Sequence, residues 1–204
     1  MNLPNQLTVA RFVMALAFVT LLSFDYLACH VFAYAVFTAA ALTDYYDGKI
    51  ARARNLVTNF GKLLDPVADK VLIVGALSML MGLPGLRIPA WTIVVIIARE
   101  FLITGARSLA ASDGLIIGAN AVGKTKAVIQ MVYVFVFFFL AIAGKALHLY
   151  AGAVSWMPSF LGTYRSVVET LSCVAIVFVA LFTIYSGIQF MRVNWRVMNV
   201  GGQL

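Results

Sequence analysis

Six predominantly apolar runs of about twenty residues, near 6–24, 27–47, 65–85, 88–108, 127–147 and 169–191, follow one another along this 204-residue chain. A helix of that length spans a hydrocarbon core roughly 30 Å thick. The chain is therefore expected to fold as an all-α integral membrane protein with six transmembrane helices. Residues 1–204 then form one membrane domain, with no room for a separate soluble one. The composition, 63% hydrophobic and 11% charged, lies outside the range of soluble globular proteins and agrees with that expectation. The first run has the apolar character of a signal peptide core, but no small-x-small cleavage site followed by a soluble chain succeeds it, so it is read as a helix.

Orientation follows from the basic residues, which set topology when they lie in short loops. With the N-terminus in the cytoplasm, only Arg87, Lys145 and Arg165 of the fifteen Lys and Arg residues fall on the far side. Both termini are then cytoplasmic, in the cell membrane. The net charge of +7 is partly this topology signal and partly an attraction for an anionic substrate or anionic headgroups. Cys29 and Cys173 have no metal or redox spacing and read as small apolar fillers. His30 and His148 fall at the outer ends of their spans and read as interfacial residues. Gly82, Pro84, Gly85 and Pro89 break helical continuation between the third and fourth spans. The segment "GKALHLYAGAVSWMPSFLGTYRSV" reads as a surface-lying connector, with Tyr150, Trp156 and Tyr164 suited to an interfacial belt.

The chemistry gathers elsewhere, in "TDYYDGKIARARNLVTNFGKLLDPVADK". Four of the chain's eight acidic residues, Asp44, Asp47, Asp65 and Asp69, stand here. Spacings of three and four put each pair on one helical face. A carboxylate at mid-bilayer is disfavoured by roughly 2.5–3.5 kcal/mol, and four together also repel. Ion pairs with Lys49, Arg52, Arg54, Lys62 or Lys70 are one explanation. The other is that facing, oxygen-only ligand pairs suit a hard divalent cation, so one or two Mg²⁺ or Mn²⁺ ions are expected. Gly48 removes a side chain where a ligand approaches the helix, Ala51 keeps that face low, Gly61 opens the approach to the next helix, and Arg52 is placed to meet a phosphate. Helix packing would explain the small residues equally, and topology the arginine.

Together these residues read D-x2-D-G-x2-A-R-x8-G-x3-D-x3-D, which resembles the signature of the CDP-alcohol phosphotransferase family. The resemblance implies transfer of a phosphatidyl or similar group from a CDP-linked lipid to an alcohol, with release of CMP. It also implies that Asp44, Asp47 and Asp65 are metal ligands and that Asp69 is both near the metal and the general base. Gly48, Arg52 and Thr58 would contact the cytidine diphosphate. A homodimer is implied as well.

The resemblance extends beyond the signature. "NLPNQLTVAR" at the N-terminus, "AREFLITGARSLAASDG" and "GKTKAVIQM" are similar to segments of the bacterial phosphatidylglycerophosphate synthases within that family. This implies CDP-diacylglycerol as donor and sn-glycerol 3-phosphate as acceptor, with Asn5 and Thr8 against the CDP moiety, although a helix-start role suits those two residues equally. Arg99, Arg107, Lys124 and Lys126 fall on the same cytoplasmic rim as the aspartates and suit the acceptor's phosphate. Positive-inside topology is the competing explanation. Glu100 either orients one of these cations or forms a structural salt bridge. No nucleic-acid partner is expected, since the basic residues lack a reading surface. Two alternatives stand beside this one: another acceptor, such as inositol phosphate, serine or phosphatidylglycerol, and a divalent-cation transporter. The transporter leaves Gly48, Arg52 and the fixed spacing unexplained.

Overall fold

Each apolar run becomes a helix in the computed structural model: α1 (Leu3–Leu22), α2 (Leu27–Arg54), α3 (Asn59–Gly82), α4 (Ala90–Ser112), α5 (Ala121–Leu149) and α6 (Met157–Val200). The structure describes the backbone of residues 3–54, 59–112, 115, 117–118, 120–149 and 157–200, and within these the side chains of 9–43, 70–112, 115, 117–118, 120–149 and 158–195. Among the described residues there is no strand. Two helical stretches, Ala121–Leu149 and Pro158–Trp195, are long and apolar enough to cross a membrane, and α1, α2 and α3 contribute shorter apolar stretches.

The breaks between helices have local causes. α3 stops at Gly82, and Gly85 takes φ 84°, a left-handed conformation that favours glycine. The Pro89 carbonyl then accepts from the Thr92 N–H at 3.0 Å and the Thr92 hydroxyl at 2.7 Å, closing the first turn of α4. Asn120 caps α5, its Oδ1 accepting from the Gly123 N–H at 2.8 Å.

The expected connector before the last span is mostly helical instead. Residues up to Leu149 belong to α5 and those from Met157 to α6, while Tyr150 and Trp156 lie outside the described residues. Tyr164 is a clamp between these helices, donating its hydroxyl to the Leu140 carbonyl at 2.7 Å. Its ring lies 3.0 Å from where a Cβ on Gly144 would stand, so the close approach requires glycine there.

The helices pack as two triplets. α1 lies along both α2 and α3, and α6 lies along both α4 and α5, with α2–α5, α3–α5 and α3–α4 contacts joining the halves. Lipid offers little hydrophobic drive between helices, so the joint depends on close packing. Aromatic rings supply it: Phe18 of α1 meets Phe37 of α2 at 5.4 Å and Phe138 of α5 at 5.9 Å, and Phe37 meets Phe135 of α5 at 5.0 Å. Within the first triplet, Ala15, Ala33, Ala40 and Ala76 are fully buried. Gly75 brings α3 against α1, since a Cβ there would stand 2.9 Å from Val19 Cγ2. Gly75→Leu is expected to cost about 1–3 kcal/mol through overpacking, read as a lower melting temperature in detergent. Gly162→Leu leaves the melting temperature near its starting value, since nothing lies within 4 Å of where a Cβ at that position would stand.

At the end of the bundle where α1 meets α2, Lys145 of α5 pairs with Asp25 at 2.5 Å and holds its carboxyl below the usual range. His30, at the same end, is buried, 3% exposed, with Asp25 and Lys145 beside it. A cavity of about 640 Å³ opens here, lined by Asp25, His30, Lys145, His148, Tyr164 and Arg165 among others. Cys29 and Cys173 are free and half-buried.

Candidate active site at the aspartate-bearing end

The signature lies on two helices that flank α1. Asp44, Asp47, Gly48, Ala51 and Arg52 fall on α2, and Gly61, Asp65 and Asp69 on α3, while Asn5 and Thr8 fall on the first turns of α1. Their side chains lie outside the described residues, and Thr58 lies outside the described backbone. Helical backbone through both segments keeps each aspartate pair at a one-face spacing.

Lys70, next to Asp69, fixes the level of this region against the second triplet. Its ammonium donates to Thr104 Oγ1 of α4 and stands 5.4 Å from the centre of the Phe101 ring. Thr104 falls between Arg99 and Arg107 in sequence, so the aspartate-bearing part of α3 runs beside the arginine-bearing part of α4.

On that second triplet the basic residues do not form a uniform rim. Arg99 reaches the junction of three helices. Its Nη1 donates to Glu100 Oε1 at 3.0 Å and its Nη2 to Ser186 Oγ of α6 at 2.7 Å. Lys126 of α5, 3% exposed, donates to the same Glu100 oxygen at 2.5 Å. One carboxylate oxygen thus bridges two cations from different helices, leaving the trio with a net charge of one positive unit. Arg107 lies over the Phe190 ring at 5.3 Å. Lys124 is exposed and has no part in this network. Of the four basic residues singled out in the sequence, Arg99 and Lys126 therefore meet through Glu100, Arg107 stands further along α4, and Lys124 stands apart.

Sequence reasoning missed the polar contribution of α5 and α6. Ser186 and Thr183 are fully buried, Gln130 is 2% exposed, and Asn120 Nδ2 donates to Gln189 Oε1 at 3.4 Å. Their only signal is a set of polar side chains within strongly apolar helices, where such groups carry a desolvation cost. Arg11 of α1, the last residue of the "NLPNQLTVAR" segment, is also buried, 4% exposed.

Between α4 and α6 runs an open groove of about 750 Å³, with Arg99, Arg192 and Trp195 beside apolar Val95, Leu102, Ile184 and Ile188. Among the described residues no group of three or more His, Cys, Asp or Glu side chains comes together. An all-oxygen donor set such as the signature's aspartates suits Mg²⁺ or Mn²⁺.

Comparisons with known proteins show the family. Residues 1–163 match the family model described as CDP-alcohol phosphatidyltransferase, a match that takes in both the signature helices and the Arg99–Lys126 cluster. A Bacillus subtilis protein named CDP-diacylglycerol–glycerol-3-phosphate 3-phosphatidyltransferase is 34% identical over 210 residues, covering 97% of each chain. Proteins of the same name from Rickettsia bellii and Mycoplasma pneumoniae are 34% and 32% identical, covering 78% and 82% of this chain and 88% and 84% of their own. With the family model matching most of the chain and a relative that matches nearly end to end, this chain belongs to the CDP-alcohol phosphatidyltransferase family.

Proposed function

We propose that this protein transfers the phosphatidyl group of CDP-diacylglycerol to sn-glycerol 3-phosphate, giving phosphatidylglycerophosphate and CMP. The observation that carries the reading is the Lys70–Thr104 contact, which sets the carboxylate-bearing part of α3 beside the arginine-bearing part of α4. A donor diphosphate and an anionic acceptor need just such neighbouring sites. The names of the relatives support the same pair of substrates.

In this reading Asp44, Asp47, Asp65 and Asp69 hold one or two Mg²⁺ or Mn²⁺ ions, which when bound neutralise the diphosphate and the departing CMP oxygen. Gly48, Ala51 and Gly61 leave room for the nucleotide, and Asn5, Thr8, Arg52 and Thr58 contact the CDP moiety. Asp69 accepts the proton of the acceptor hydroxyl as that oxygen bonds to the β-phosphorus and the bond from phosphorus to the CMP oxygen breaks. Arg99 and Arg107, with Lys126 and Lys124 adding positive charge, draw the acceptor's phosphate to the same end.

The accompanying topology is one domain of six membrane spans, with both termini and the active site on the cytoplasmic face of the cell membrane, assembled as a homodimer. Purified protein given CDP-diacylglycerol and each of glycerol 3-phosphate, inositol phosphate, serine and phosphatidylglycerol should release CMP with glycerol 3-phosphate at a rate at least about tenfold above the rest, a discrimination of about 1.4 kcal/mol or more. Turnover with another acceptor and none with glycerol 3-phosphate would overturn the assignment.

A further inference from the structure

Arg99 is held by groups from three helices of the second triplet. Glu100 holds Nη1 at 3.0 Å and Ser186 holds Nη2 at 2.7 Å. A Cβ on Gly187 of α6 would stand 3.3 Å from Arg99 Cγ, and one on Gly123 of α5 would stand 3.7 Å from Nη2. The side chain therefore passes between two helices at positions where neither carries a side chain. Its Nε is buried and has no hydrogen-bond partner among the described residues. A guanidinium has five N–H donors in a fixed planar fork. Here the partners take one donor from each terminal nitrogen and leave the remaining Nη hydrogens for a ligand, with Nε–H enclosed by protein. Such an arrangement fixes the plane of the fork before any anion arrives, which lowers the ordering cost of binding.

We propose that Glu100 and Ser186 are positioning residues that fix the guanidinium plane of Arg99 for the phosphate of the acceptor, so that α6 takes part in acceptor recognition. The proposal rests on the reading of Arg99 as an acceptor-phosphate residue. Glu100 acts from α4 and also keeps the Lys126 ammonium beside Arg99, sharing Oε1 between two cations that would otherwise repel. Ser186 acts from α6, 87 positions away in sequence, through a single hydroxyl. Neither group needs to touch substrate.

The test measures KM for glycerol 3-phosphate and for CDP-diacylglycerol separately in Ser186→Ala, Glu100→Gln, Arg99→Ala and the Ser186→Ala/Arg99→Ala pair. Ser186→Ala removes one oxygen from a fully buried site and is the variant expected to fold unchanged. It should raise KM for glycerol 3-phosphate about tenfold, the effect of one hydrogen bond to a charged group, and move KM for the lipid less than about twofold. Glu100→Gln should act in the same direction. In the Arg99→Ala background, Ser186→Ala should have no further effect, because its action passes through the missing guanidinium. A rise in both KM values together, or an undiminished Ser186→Ala effect without Arg99, would overturn the positioning role while leaving the acceptor site standing. If Arg99→Ala itself leaves KM for glycerol 3-phosphate unchanged, the acceptor reading of Arg99 fails first and the positioning role with it.

Discussion

Asp69→Asn is expected to lower turnover by about 10²- to 10⁴-fold, the span that a general base contributes, while CDP-diacylglycerol remains bound. Asparagine keeps the shape of the side chain but cannot accept the proton from the acceptor hydroxyl at neutral pH. Three aspartates of the signature stay in place for the diphosphate, so donor affinity falls far less than rate. Single-turnover release of CMP, with binding of the lipid measured in parallel, separates the two effects. Normal turnover in this variant would remove Asp69 as the base. A loss of lipid binding that matches the loss of rate would make it a binding residue instead.

Removal of divalent cations is expected to have a larger effect still: activity in excess chelator should fall to background, and Mg²⁺ or Mn²⁺ should restore it. The physical reason is the charge balance. Four carboxylates and a diphosphate at one end of a bundle repel strongly in a medium of low polarity, and cations are needed to bring them together. A second readout does not depend on catalysis. A ligand that binds only the folded state raises the melting temperature by mass action, so added Mg²⁺ should stabilise the unaltered protein and should fail to stabilise Asp44→Asn/Asp65→Asn. Full activity in chelator would undo the metal assignment.

The helices were legible because a span of lipid-like length has only one economical backbone solution. Their ends were not. Hydropathy measures what the surrounding medium prefers, whereas a helix persists wherever its own hydrogen bonds remain satisfied. α2 therefore continues through the aspartates to Arg54, and α6 begins at Met157, well before the apolar run near 169. The signature was legible from fixed spacing alone, since the chemistry needs particular residue types at particular turns. Glu100 was half legible: its neighbour Arg99 is adjacent in sequence, but Lys126 reaches it only because α5 packs nearby. Ser186 was not legible at all. Serine and threonine in such helices commonly donate to the carbonyl a turn earlier, as Thr38 does to Tyr34 at 2.8 Å and Thr170 to Ser166 at 2.9 Å, so one more hydroxyl in an apolar run carries no distinguishing mark. Its meaning comes from tertiary register, which brings it to Arg99.

The division of the bundle into α1–α3 and α4–α6 bears on how rate and affinity separate. In the proposed reaction the donor belongs to the first triplet and the acceptor to the second, so the gap between nucleophile and phosphorus is a property of the seam between them. Each substrate meets its own triplet intact, whatever the offset of its neighbour. Bilayer thickness and lateral pressure, acting on that offset through the rings of Phe18, Phe37, Phe135 and Phe138, would then tune the speed of phospholipid synthesis without altering how tightly either reactant is held.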